Sequence, residues 1–326
     1  MKTKKIISAL ALGLCFTTLC SCTNVDQKIP FYGYWHTNSI AAGANIHETL
    51  EYDVTGKLAS NLSNLVGYEL SYDNGVYTTE LISESRDGKS IYVYKTSLTL
   101  SVTYTLNGES KTFEDSVQTE ATFLSESYGL KPLSSQKTVV SASPTMGNEQ
   151  TKLDDCYVPY HYTVKTTYNQ DGSAGTCEVN YAPDKEDADT STHDFDIDDK
   201  YSYLDNEQLL FALRGVPDSK TSTKIYTYSP YVNAVQTMKV SFATAESDEF
   251  TFFKNGSEEK EKYTISYRPA TIVLDQKFSG ESQTVHYAAL TDPSNNPHRN
   301  VMLYYNAPLA YALGSLEYKL RSINYN

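Results

Sequence analysis

The sequence predicts a mainly all-β protein: a large curved antiparallel sheet, a half-barrel or open barrel, with one short helix. Three observations predict it. Apolar and polar residues alternate with a period of two over long stretches, the pattern of strands with one buried and one wet face. Turn pairs ending in glycine punctuate those stretches at hairpin spacing. The composition also suits strands, with 28 Tyr against 11 Phe and one Trp, since tyrosine fits a half-buried pleated surface.

The alternation begins at Ile46 to Val54, where Ile46, Leu50, Tyr52 and Val54 share a face and Glu48 is an exception on it. In Leu98 to Leu106 the even positions are apolar or aromatic and the odd ones carry hydroxyls. Val158 to Tyr168 repeats the pattern through Val158, Tyr160, Tyr162, Val164 and Tyr168, and it recurs at Met238 to Phe242 and Val285 to Ala289. Turns are expected at Asp73-Asn74-Gly75, Asp87-Gly88, Asn107-Gly108, Asp171-Gly172 and Asn255-Gly256. Asn107-Gly108, between Leu106 and the run Phe113, Val117, Ala121, Phe123, predicts a hairpin. With few helical segments between the runs, the sheet is antiparallel and not built of βαβ units.

Asp205 to Pro217 breaks the rhythm. Asp205 suits an N-cap with Gln208 completing a capping box, Leu209, Leu213 and Val216 share a face, and Gly215-Pro217 ends the segment. This helix is expected on the concave side of the sheet. Inward alternates Leu98, Leu100, Val102, Tyr160, Tyr162, Leu209 and Leu213 would then line a cavity for an apolar ligand. Residues 46–326 read as one domain, and an internal boundary would fall in the acidic loop 183–204. The stretch Pro183 to Lys200 holds eight carboxylates and two lysines.

The net charge of −13 excludes a nucleic-acid binder, which needs clustered Lys and Arg to neutralise phosphates. Asp194, Asp196 and Asp198 alternate like the start of a calcium loop. However, the sixth position is Asp199 where glycine is wanted, and a solvated acidic loop is the default reading. No metal site and no cofactor are expected. His47-Glu48 fails as a zinc-protease motif because Glu51 stands where the second histidine belongs. No nucleophile elbow, phosphate loop or dinucleotide fingerprint occurs, and no catalytic residue is assigned. His161 and His286 fall on the polar faces of their strands. Tyr92, Tyr94, Tyr160, Tyr162, Tyr226, Tyr228, Tyr304 and Tyr305 read either as strand filler or as a docking surface for sugars or peptides.

The first 21 residues have the parts of an export signal. Lys2, Lys4 and Lys5 precede an uncharged, mostly apolar stretch from Ile6 to Leu19, too short to span about 30 Å of hydrocarbon comfortably. Leu19-Cys20-Ser21-Cys22 resembles the bacterial lipobox, with Cys22 as the residue that receives lipid. Cleavage there removes three lysines and changes the charge from −13 to −16. A body so acidic is repelled by anionic headgroups, so acyl chains are what would hold it. Residues 22–45 read as a tether, with Tyr32, Tyr34 and Trp35 packing at the domain edge. Export suits a bridge between Cys156 and Cys177, worth about 3 kcal/mol for such a loop. A turn at Gln170 to Ser173, however, would set Cys177 opposite Thr166, so the bridge needs the chain to bend back.

Together the lipobox at Cys22, the tyrosine-rich alternating strands and the helix 205–217 resemble an envelope lipoprotein. The arrangement is similar to lipoprotein-carrier (LolA-like) half-barrels. That resemblance implies a curved sheet around an apolar cavity and a lidding helix, and no catalytic residue. The expected function is a non-catalytic lipoprotein, anchored to the membrane through its N-terminal lipid, on the outer face of the cell membrane or on the outer membrane. It would bind or carry an apolar ligand or an envelope partner protein. A tyrosine-based glycan or peptide surface, a structural subunit of an envelope complex and a hydrolase are the alternatives.

Overall fold

The computed structural model describes residues 28–31, 35, 45–126, 129–182, 188–274, 282–289 and 296–325. The expected signal segment 1–21, the expected lipidation site Cys22, Tyr32 and Tyr34 lie outside the described residues. The strands are β1 His47–Leu58, β2 Glu69–Arg86, β3 Lys89–Leu106, β4 Glu109–Leu124, β5 Pro132–Pro144, β6 Tyr157–Tyr168, β7 Ala174–Tyr181 and β8 Asp189–Asp196. They continue as β9 Ser202–Tyr203, β10 Ser222–Ser229, β11 Ala234–Phe242, β12 Glu246–Lys254 and β13 Glu261–Leu274. The last are β14 Gln283–Ala288, β15 Met302–Pro308 and β16 Gly314–Tyr325.

One sheet takes them all, in the order β8-β7-β6-β5-β4-β3-β2-β1-β16-β15-β14-β13-β11-β10-β9, with β12 pairing to both β13 and β16. The mainly antiparallel fold is the one the alternation predicts. β12 adds a closure: its end runs parallel to β16 at Phe253–Ser322 and Lys254–Ile323, sealing β12 to β16 into a five-stranded barrel. The remaining strands form two arms that curve from this barrel. Their ends meet without backbone pairing, where the ring of Phe195 on β8 stacks on Tyr228 of β10.

The hairpin turns follow the glycine pairs. Asn107 and Gly108 have φ of 54° and 85°, and Asp87 and Gly88 have 53° and 73°, the left-handed pair that a two-residue turn between twisted strands needs. Asp73-Asn74-Gly75 is corrected: it is no turn but a bulge inside β2, where the register to β3 shifts between Asp73 and Val76. Gly75 is required there, because a Cβ would sit 2.6 Å from the Val54 carbonyl oxygen.

A five-residue helix, α1 Leu62–Val66, lacks any sequence signature noted above. The expected helix forms as a 3-10 turn Asn206–Gln208, one α-helical turn α2 Leu209–Ala212 and a second 3-10 turn Leu213–Gly215. Asp205 caps it, accepting from the Glu207 amide at 2.8 Å. Gln208 does not close a capping box; its amide nitrogen donates to the Leu130 carbonyl at 2.8 Å. Gly215 serves close approach, with the Phe31 carbonyl oxygen 1.9 Å from where a Cβ would stand.

This segment is a plug and not a lid. Phe211 packs edge-on to Trp35 at 5.2 Å and against Tyr92, Tyr94 and Phe123. The expected ligand cavity is therefore corrected. Leu100, Leu209 and Leu213 are buried in the main core, Leu98 packs against it, and Val102 is buried in a neighbouring cluster with Tyr68 and Tyr104. The empty concavity implied by the carrier resemblance is filled by the protein's own side chains. Ile29, Phe31 and Trp35 are also buried in that core, so the tether reading of 22–45 is corrected at these three residues, which belong to the packed body. Trp35 sits at the centre and not at the edge.

Glu48, the exception on the inward face of β1, is 2% exposed and meets the equally buried Arg214 through two bonds of 2.6 and 3.1 Å. Arg214 also donates to the Arg299 carbonyl at 2.8 and 3.2 Å, so four of its five N–H groups are engaged. A charge among apolar side chains is tolerated because it is paired and hydrogen-bonded.

Candidate binding groove

The even positions of β6 alternate as expected, yet they do not all enter a core. Tyr160 and Val158 are exposed, Tyr162, Val164 and Tyr168 half-buried, and Thr166 buried. The reason is topological. β6 and its neighbours β5 and β7 curl toward β9, β10 and the capped start of the plug, and the two walls meet only at their base. Between them runs a groove of about 440 Å³.

Its lining holds seven tyrosines, from β6 (Tyr160, Tyr162, Tyr168), β7 (Tyr181), β9 (Tyr203), β10 (Tyr228) and the following turn (Tyr231). The outer three form a row: Tyr160 stacks on Tyr162 at 5.8 Å with 18° between planes, and Tyr162 meets Tyr181 at 5.9 Å. Tyr181 is 52% and Tyr231 92% exposed, so the rim offers bare aromatic surface. Deeper, Tyr168 packs on Tyr203 at 5.7 Å, and Phe195, Cys177 and Val179 close the floor with Tyr228.

Charge is confined to the groove's inner end. Lys137 on β5 reaches Glu207 at 3.4 Å. Burial pushes the Glu207 carboxyl up, while the same carboxylate raises Lys137. Asp205 accepts from the Ser135 hydroxyl at 2.7 Å, from the Tyr168 hydroxyl and from the Glu207 amide. Burial and Asp205 hold the Tyr168 phenol well above its ordinary value, so it stays a donor. No histidine lines it, and Cys177 is buried under the floor. It can present flat apolar faces edged by hydroxyls and carboxylates, a combination that suits an amphipathic ligand.

Two other depressions frame it. A trough of about 590 Å³ shares Tyr160 and Tyr181 with the groove and extends it past Phe113, Val140, Ala142 and Pro159. A basin of about 710 Å³ lies over the polar face of β1 to β6, walled by Thr, Ser, Gln and charged side chains. Glu80 pairs there with Lys95 at 3.8 Å and with the neighbouring His47 at 3.0 Å, and the lining has no aromatic face.

Of the lining residues expected from sequence, the structure brings Tyr160 and Tyr162 to the groove and places the other five in packed cores. Lys137, Glu207, Tyr181, Tyr203 and Tyr231 were not singled out as site residues. The parity of Tyr160, Tyr162 and Tyr168 was the available signal. Tyr92 and Tyr94 are buried and serve the core. The aspartates of the calcium pattern do not converge: Asp194 accepts from Thr176 at 2.7 Å and Asp198 from the Lys200 amide at 2.7 Å. Among the described residues no group of three or more metal-ligating side chains forms. The disulfide is corrected as well. Cys156 and Cys177 are free, because Cys177 pairs across the strands with Thr166 and sits in the groove floor, while Cys156 is buried beside Tyr157 and Tyr104 in another cluster. His286 is not simply exposed; it is half-buried and stacked at 4.6 Å on Tyr267.

No protein-family model matches the chain, and no curated protein matches it. Among solved structures it is similar to a beta-barrel-like protein of a domain of unknown function, DUF1849, from Brucella abortus. That likeness has 11% identity, covers 86% of this chain and 98% of the other, and has a TM-score of 0.49. Fold and groove therefore define the class on their own geometry: a mainly β protein with a closed five-stranded barrel and a tyrosine-walled cleft between its two arms. No described helix is long and apolar enough to cross a membrane.

Proposed function

We propose that this protein is a non-catalytic envelope lipoprotein that docks saccharide in its tyrosine groove. The observation that carries the reading is the row Tyr160, Tyr162, Tyr181, three rings at spacings of 5.8 and 5.9 Å along one open wall, the outer two exposed and Tyr162 half-buried. Sugar rings have an apolar C–H face and a hydroxyl rim, which match aromatic faces flanked by phenols and carboxylates. The adjoining trough through Phe113 and Val140 provides length for more than one residue of a glycan. A carrier of apolar ligands would need the concavity that the plug fills.

The export signal and Cys22 supply the place: outside the cytoplasm, at the outer face of the cell membrane or on the outer membrane, held by acyl chains. The Ile29 amide donates to the Ser202 hydroxyl at 2.8 Å, and Ser202 adjoins Tyr203 of the groove wall. Fully extended, the chain from Cys22 to Ile29 spans at most about 25 Å. Anchoring at Cys22 therefore keeps the groove close to the bilayer, within reach of envelope glycans and of partner proteins.

The test is a saccharide array probed with wild-type protein and with the double variant Tyr162→Ala, Tyr181→Ala. The wild type is expected to bind a defined set of glycans, and the variant to lose at least about tenfold in affinity, as losing aromatic contacts worth about 1.4 kcal/mol implies. No glycan bound, or equal binding by both proteins, overturns the reading.

A further inference from the structure

We propose that the groove selects sugars carrying a free, protonated amine; the inference rests on the saccharide reading above and specifies its ligand. Two carboxylates, Asp205 and Glu207, line the inner end against one lysine, Lys137. Lys137 is engaged with Glu207. Every hydrogen bond to Asp205 comes from a neutral group, the Ser135 and Tyr168 hydroxyls and the Glu207 amide. Such dipoles solvate a carboxylate without cancelling its charge. The inner groove thus carries one formal negative charge that no lining cation balances.

The walls suit a cation as well. Tyr162, Tyr168, Tyr203 and Tyr228 line the same groove as the carboxylates, and ammonium groups are attracted to aromatic faces, more strongly when removed from water. The deficit also shows at Glu207, where burial and the neighbouring Asp205 raise the carboxyl and Lys137 offsets them only in part. An incoming ammonium would balance both groups. A neutral sugar leaves the surplus uncompensated, and an anionic sugar adds to it. Discrimination then comes from repulsion as much as from attraction. At longer range the charge of −13 draws cationic ligands toward the surface.

The experiment compares two oligosaccharides of equal length by calorimetry on wild-type protein at low salt. One is the hexamer of glucosamine, held below its amine pKa, and the other is the hexamer of N-acetylglucosamine. The amine form is expected to bind at least about tenfold more tightly, and raising salt should shrink that ratio, as screening of a charge contact requires. Glu207→Gln should bring the ratio toward one. Equal affinities for the two hexamers, or a preference for the acetylated one, overturn the amine inference while leaving the saccharide reading standing. Binding of neither hexamer together with an empty saccharide array removes both. Because the comparison is between ligands on the unaltered protein, it holds even where the Glu207→Gln variant fails to fold.

Discussion

The ring of Phe195 lies over that of Tyr228 at 4.1 Å with 18° between their planes, and this contact, with Phe195 on Tyr203 and Tyr168 on Tyr203, joins the two ends of the sheet. β8 and β10 exchange no backbone ladder; aromatic packing substitutes for it. Phe195→Ala should cost about 3 kcal/mol, the lower end for deleting a buried phenyl ring. Urea unfolding checks the cost. Amide exchange should accelerate in β7 and β8 before β1 to β4. A loss below about 0.5 kcal/mol would mean that the groove walls are positioned by something other than this seam.

Glu48 and Arg214 link β1 to the end of the plug. Glu48→Ala or Arg214→Ala alone should destabilise by about 3–5 kcal/mol, since each strands the other's charge in the core. Replacing both by apolar residues of similar volume should cost markedly less than the sum of the two. Denaturant midpoints for the two single variants and the double variant measure the coupling. Additive losses would show that the pair is not the unit that matters.

His298 is held to about 4, from an ordinary value of 6.5, by burial first and by Lys254 second. The folded state therefore resists protonation that the unfolded chain accepts. Between these two values the unfolded state binds more protons, so stability is full above about pH 6.5 and declines as pH falls toward 4. His298→Phe should flatten that part of the stability profile. An unchanged slope would place the acid sensitivity elsewhere.

Among the described residues Cys156 and Cys177 are free and buried, and burial pushes both thiols up. With protein cleaved and acylated at Cys22, as proposed, a thiol reagent should therefore react slowly in the native state and should titrate two thiols, Cys156 and Cys177, after denaturation. A count of zero would mean that the chain bends to bring them together after all.

Much of this fold was legible, because alternation reports a local event, which face of a strand meets water. The inward faces of β1 and β3, the Asn107-Gly108 hairpin and the Asp205 cap followed from neighbouring residues alone. What failed depends on distant partners. Asp73-Asn74-Gly75 has turn chemistry, but pairing with β1 and β3 on both sides makes it a bulge. Glu48 looked like a flaw until Arg214, 166 residues away, reached it. The plug resembled a lid because its apolar face does not say whether the sheet leaves space beneath it. The same limit applied to the site. Tyr160, Tyr162 and Tyr168 announced a face, but only the return of β9 and β10 decides whether that face is core or groove, and Lys137 and Glu207 meet solely because of that return.

Ring-selective carbon-13 labelling of the tyrosines, read by NMR during titration with the glucosamine hexamer, tests the central claim most directly. Signals of Tyr160, Tyr162, Tyr181 and Tyr231 should move with a common affinity while those of buried Tyr52 and Tyr104 stay fixed. Shifts confined to other tyrosines, or none at saturating sugar, would contradict the account.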